Sequence, residues 1–197
     1  MNGSVMRLAD FNKADFTALA SFTSEASLLT GVSPEANNRP PIPAMSFSPG
    51  NGGWGRRYII EAMGTFGVTG TPTYLFQVRL GTSTTWSASD TSVLQSAAIT
   101  CGSGVSNQQW RLKGKIYCRT PGMGTGNCTI VCEGYVESTG FASPYRYYMA
   151  PSNGALQTLT ATIDGALTQY VGLSVTCSAS SASNTITCKG LEWYEVN

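Results

Sequence analysis

The chain has 197 residues, 12% of them charged, a net charge of +1 and no histidine. That length holds one large domain, or a domain with an arm. The missing histidine excludes every Ser-His-Asp or Cys-His catalytic site and every His-ligated metal site. Twelve Lys and Arg face eleven Asp and Glu, and Arg56-Arg57 is the only adjacent basic pair. This dispersion argues against a nucleic-acid partner, because phosphate neutralisation needs clustered cations. The 42% apolar content argues against disorder. No apolar run is long enough for a membrane helix, so no membrane partner is expected. Residues Met1 to Arg7 are not followed by an apolar stretch, so no signal peptide is expected.

Residues 1–44 read differently from the rest. The stretch Asp10 to Ala20 predicts a helix, with Asp10 or Asn12 as its cap and Gly31 with Pro34 as its stop. Its apolar residues define no single stripe. Pro40, Pro41 and Pro43 then predict an extended, semi-rigid linker. Phe11, Phe16, Leu19, Phe22, Leu28 and Leu29 are too many large apolar groups for a solvated tail. Each gains roughly 1.5–3 kcal/mol on burial. Two readings stay open: a terminus lying on its own domain, or an arm that docks on another chain.

From residue 45 the pattern is β. Runs fall near 57–66, 73–80, 93–100, 108–118, 127–137, 144–150, 156–163, 169–177 and 185–196, separated by turn-rich stretches. The clearest alternation sets Trp110, Leu112, Ile116 and Cys118 against Arg111, Lys113 and Lys115. That is a strand with one wet face. Eight or nine short strands without a helical period predict an all-β, jelly-roll-like two-sheet β-sandwich over 45–197, preceded by a partly helical arm over 1–44.

Six cysteines stand at 101, 118, 128, 132, 177 and 188. Buried free thiols are the plain reading. Cys118 and Cys128 are the first candidates for a disulfide, because they would face each other across a hairpin. Without histidine a zinc site needs four cysteines, and Cys128 with Cys132 finds no second matching pair. No metal and no cofactor are expected.

The carboxylates assemble no local pair. Glu133 and Glu137 sit roughly 13 Å apart on a straight strand, beyond the ~5–9.5 Å of a glycosidase. Asp90 with Asp164 is the remaining long-range option. No catalytic residue is assigned, and a carboxylate-dependent polysaccharide hydrolase ranks last. The glycines from Gly122 to Gly126 read as a hairpin tip rather than a phosphate loop. Tyr145, Tyr147 and Tyr148 are candidate surface-recognition residues, since a tyrosine offers an apolar ring and a hydroxyl together. The competing reading places half of that strand in the core. The low charge predicts a symmetric oligomer, because interface cores are depleted in charge.

The segments Trp54 to Phe66 and Gly70 to Gly81 resemble the opening strands of a β-sandwich module common in tailed-bacteriophage virion proteins. Ala182 to Cys188, with the strand that ends at Asn197, resembles that module's closing strand. The six cysteines and the proline-rich approach at 37–43 depart from it. The resemblance spans about 45–197. It implies a jelly roll, a homotrimer, a structural or adhesive role and no catalytic residues. It further implies a protein made in the host cytoplasm and carried in the virion. The leading expectation is a trimeric capsid cement or decoration protein, its arm binding the major capsid protein or another virion subunit. The alternative is a tail-fibre tip that recognises a host surface glycan.

Overall fold

The computed structural model describes residues 6–11, 14–30, 39–47, 56–124, 126–151 and 160–196. Every strand pairing in it is antiparallel. The first four strands are short: β1 Met6–Phe11, β2 Leu19–Ala20, β3 Ala26–Ser27 and β4 Pro41–Ile42. Then come β5 Arg57–Gly67, β6 Thr73–Gly81, β7 Thr91–Ser96, β8 Ile99–Thr100 and β9 Gln108–Thr120. The last five are β10 Cys128–Glu137, β11 Arg146–Ala150, β12 Thr160–Ile163, β13 Gln169–Cys177 and β14 Thr185–Val196. They form one folded-over sheet in the order β1-β14-β5-β9-β10-β11-β7-β6-β13-β3, with β12 beside β10 and β8 beside β6.

The sheet curls over along β11, which extends the outer face of β10 and hands over to β7, so β14-β5-β9-β10 faces β7-β6-β13. The all-β expectation is met; in place of two separate sheets, one sheet curls into a nearly closed, barrel-like form. Alternation places the core. In β9, Trp110, Leu112, Ile116 and Cys118 are buried, and in β6 so are Tyr74, Phe76, Val78 and Leu80. The two layers meet through Phe76 and Trp110, whose rings are 5.4 Å apart. Tyr58 stacks on Trp193 at 5.2 Å. Gly114 is needed where the layers close. A Cβ there would come within 2.5 Å of Leu94 Cδ1 from β7, on the facing layer.

Among the described residues of 10–20 the predicted helix is not present; residues 12 and 13, with the candidate cap Asn12, lie outside the described residues. Residues 14–18 are irregular, and strands β1 and β2 flank that stretch. The backbone hydrogen bonds there run to distant residues: Phe16 N donates to Cys188 O at 3.0 Å, and Thr17 N to Thr30 O at 2.9 Å. A weak helix signal yields to strand edges that need partners. β1 and β2 cover the free edge of β14, and β3 and β4 cover the free edge of β13. The described parts of the first 44 residues, 6–11, 14–30 and 39–44, are thus a strap across both ends of the sheet.

Polar contacts hold the strap down. Arg79 grips Glu25 with two hydrogen bonds, of 2.7 and 2.8 Å, and Ser174 donates to the same carboxylate. Arg39, in the proline-rich stretch read as a linker, is 4% exposed. It donates to the carbonyls of Ser83, Thr85 and Tyr170 and pairs with Asp90 at 2.8 Å.

Candidate functional site

The outer side of β14-β5-β9-β10-β11 remains open to solvent. Because even residues of β9 face the core, Arg111, Lys113, Lys115 and Tyr117 face outward. Register lines up their neighbours in rows. One row runs Met63, Arg111, Glu137, Arg146. The next runs Glu192, Glu61, Lys113, Tyr135, Tyr148. The third runs Tyr194, Ile59, Lys115, Glu133. A chain poor in charge concentrates much of it here, with the β9 cations Arg111, Lys113 and Lys115 set beside carboxylates of β5 and β10.

The charges are paired across strands. Glu61 receives Arg111 at 2.9 Å and Lys113 at 2.5 Å. Burial disfavours its charged form, but those two cations outweigh burial and hold the carboxyl below its ordinary value. Arg146 pairs with Glu137 at 2.6 Å and lies over the Tyr135 ring, 4.4 Å from its centre. Tyr117 donates to Glu133 at 3.0 Å, and Lys115 lies 3.4 Å from the same carboxylate. The neighbouring Tyr117 first, and Glu133 next, raise the Lys115 ammonium above its ordinary value. Tyr194 donates to Glu192, and that bond, with some burial, pushes its hydroxyl up to about 12.

Among the described residues, two hollows lie on this face. The larger, about 770 Å³, is lined by Met63, Arg111, Glu137, Tyr145, Arg146 and Lys189 among others. The smaller, about 340 Å³, is lined by Lys113, Lys115, Glu133, Gly134, Tyr135 and Tyr148. They adjoin: Arg111 and Lys113 are alternate residues of one strand, and Arg146 of the first covers Tyr135 of the second. Gly64 shapes the floor of the larger hollow. A Cβ there would overlap Thr187 O and press on the Trp110 ring.

The tyrosine cluster divides. Tyr145 and Tyr148 are 58% and 64% exposed, one at each hollow. Tyr147 turns inward: its hydroxyl donates to Ala142 O at 3.2 Å and its ring meets Phe141 edge-on. Tyr147 is therefore removed from the recognition set, because strand parity gives it to the core.

Five of the six residues assigned to a partner-binding arm are satisfied within their own molecule. Phe16, Leu28 and Leu29 are buried in the main core, and Leu19 and Phe22 pack against it. The Phe22 ring stacks on Tyr74 at 6.5 Å. Phe11 pairs through its backbone with Glu192, and its side chain lies outside the described part of the structure. The apolar argument for a foreign partner thus loses its ground: the same chain supplies the burial.

Cys118 and Cys128 form no disulfide, and all six cysteines are buried free thiols. The register sets Cys118 opposite Ile130, two residues from Cys128, rather than opposite Cys128 itself. Burial pushes the thiols of Cys101, Cys118 and Cys188 up to about 12, far from the reactive thiolate form. The carboxylates considered for catalysis have other partners. Asp90 binds Arg39, and Asp164 accepts from Gly124 N and Ala166 N.

Sequence reasoning missed the Arg146–Glu137–Tyr135 cluster, Met63 and Lys189. The wet face of β9 was the available signal; which residues stand beside it depends on register between distant strands. No protein-family model matches this chain, and no curated protein does.

Proposed function

We propose that the protein is a non-enzymatic structural subunit of a tailed-phage virion: a trimeric, jelly-roll-like capsid cement or decoration protein. The carrying observation is where the resembling segments fall. The opening segment becomes β5 and the closing segment becomes β14, and these two pair along their length from Thr185↔Gly67 to Val196↔Arg57. Inside that pair nests β6 with β13, then β7 with β11, then β9 with β10. This nesting supports the jelly-roll-like reading, although β1 lies outside β14, β5 also adjoins β9 and β6 adjoins β7.

Adhesion on this reading belongs to the folded surface, because the strap is occupied in closing its own sheet. Mixing the purified chain with undecorated heads tests it. Saturable co-sedimentation is expected, with a trimer in sedimentation velocity. Heads that stay bare at saturating protein would end the cement reading.

A second reading, recognition of a host surface glycan, is favoured by one observation. Tyr145 and Tyr148 stand exposed at the two hollows, where rings can meet the apolar face of a sugar.

A further inference from the structure

We propose that the two adjoining hollows on the β5-β9-β10-β11 face form one site for an acidic oligosaccharide, a chain of hydroxylated rings bearing carboxylates. This deepens the glycan reading and rests on it; the cement reading is decided separately, by head binding.

Shape comes first. The larger hollow, about 770 Å³, lies within the range of small-ligand sites. The smaller continues it along β9, and from Arg111 to Lys115 the strand spans roughly 13 Å. A groove of that length suits several linked rings better than one.

Charge comes second. The lining carries five cations, Arg111, Lys113, Lys115, Arg146 and Lys189, against two carboxylates, Glu133 and Glu137. Glu61, the shared partner of Arg111 and Lys113, and Asp15, the partner of Lys189 at 3.0 Å, lie outside the lining. The cations stand in exposed pairs: Lys115 and Glu133 are 43% and 53% exposed, Arg146 and Glu137 53% and 30%. Such pairs are weakly held in water. A ligand carboxylate can therefore share these cations without dismantling the fold, and Arg146 offers the planar fork that carboxylates fit.

Ring and hydroxyl chemistry come third. Tyr145 and Tyr148 supply one exposed ring per hollow. Thr65 and Gln109 line the larger hollow and bring both donors and acceptors. Glu133 and Glu137 are acceptors for sugar hydroxyls. Those same carboxylates repel a phosphate backbone, which offers them no donor. Single-stranded nucleic acid wants an uninterrupted basic track; here the β9 cations Arg111, Lys113 and Lys115 are bracketed by Glu61, Glu133 and Glu137 on the neighbouring strands.

The test uses the purified full chain. The probes are uronate- and sialate-containing oligosaccharides, the same chains with methyl-esterified carboxylates, and oligo-dT. Binding to acidic chains is expected, falling as salt rises, with the esters weaker by roughly tenfold or more. Tyr148→Ala and Arg146→Gln should each weaken it by a similar factor, with unchanged near-UV circular dichroism. Equal affinity for acid and ester would overturn the acidic site while leaving glycan recognition standing. Tighter binding of oligo-dT would overturn the saccharide assignment. No saccharide binding at all would overturn both this site and the reading beneath it.

Discussion

The two layers carry outward-facing charges of the same kind and treat them oppositely. On β6, Arg79 points away from the core and is covered by the strap, where it meets Glu25 with both side chains 13% exposed or less. On β9, Lys115 points away from the core and stays in water beside Glu133, with both side chains more than 40% exposed. Parity along each strand is the same. What differs is whether the chain's own first residues lie across the face. A covered ion pair is a structural clamp, because an orphaned partner is left where water reaches it poorly. An open pair is weakly held and available to a ligand.

The strongest way to break this contrast is to remove the cover. Deleting residues 1–44 takes away four strands, Phe16, Leu28, Leu29 and Ile42 from the core, and the partners of Arg79 and Asp90. The four apolar groups alone account for roughly 1.5–3 kcal/mol each, comparable in sum to the ~5–15 kcal/mol stability of a typical domain. The free edges of β13 and β14 would also template aggregation. Loss of soluble, folded protein is expected by circular dichroism and sedimentation. A soluble, folded truncation would restore the picture of a detachable arm.

Next in size is Arg39→Met. It leaves Asp90 without its buried cation and three carbonyls without a donor. Removing one partner of a buried pair costs about 3–5 kcal/mol, read as a lowered midpoint in urea. Burial already pulls the Arg39 guanidinium below its ordinary value, opposed by Asp90. A midpoint unchanged from the parent chain would mean that the strap is not clamped here.

Much of this was legible in the residues and some was not, for physical reasons. The alternation in β9 shows because one side is core and the other water, so the pattern has period two. The same rule places Gln77 on the outside of β6, yet it is 6% exposed. Its cover comes from Glu25, far away in sequence, and no local pattern encodes that. The mistaken helix over 10–20 has a similar origin. Asp10 and Asn12 are reasonable caps taken alone, but the open edges of β13 and β14 offered the strap's backbone hydrogen bonds that a short, stripeless helix could not match. At the open face, sequence gave the identity of Arg111, Lys113 and Lys115 but not that Glu61 sits between two of them. That needs the register of β5 against β9.

Glu25→Gln sharpens the contrast from the covered side. It removes the charge held by Arg79 and Ser174 while keeping the shape. Hydrogen bonds to charged groups contribute about 1.5–3 kcal/mol, so a loss in that range is expected from denaturation curves. A loss no larger than that at an exposed pair would show that the cover does not strengthen the clamp.

The smallest effect belongs to the open face, and pH isolates it. In the folded chain Lys113 and Arg111 outweigh burial and keep the Glu61 carboxyl below its ordinary value. A depressed carboxylate stabilises the fold above its unfolded-state value. That contribution drains away as pH falls through the folded value. Glu61→Gln should therefore be less stable than the parent at neutral pH, by about 1 kcal/mol or less for a pair so close to water. The gap should close as the solution is acidified below the ordinary carboxylate range. Urea midpoints measured against pH for both chains give the answer. A gap that stayed constant down the acid limb would mean that Glu61 acts through packing, and that the open face is held together by something other than its paired charges.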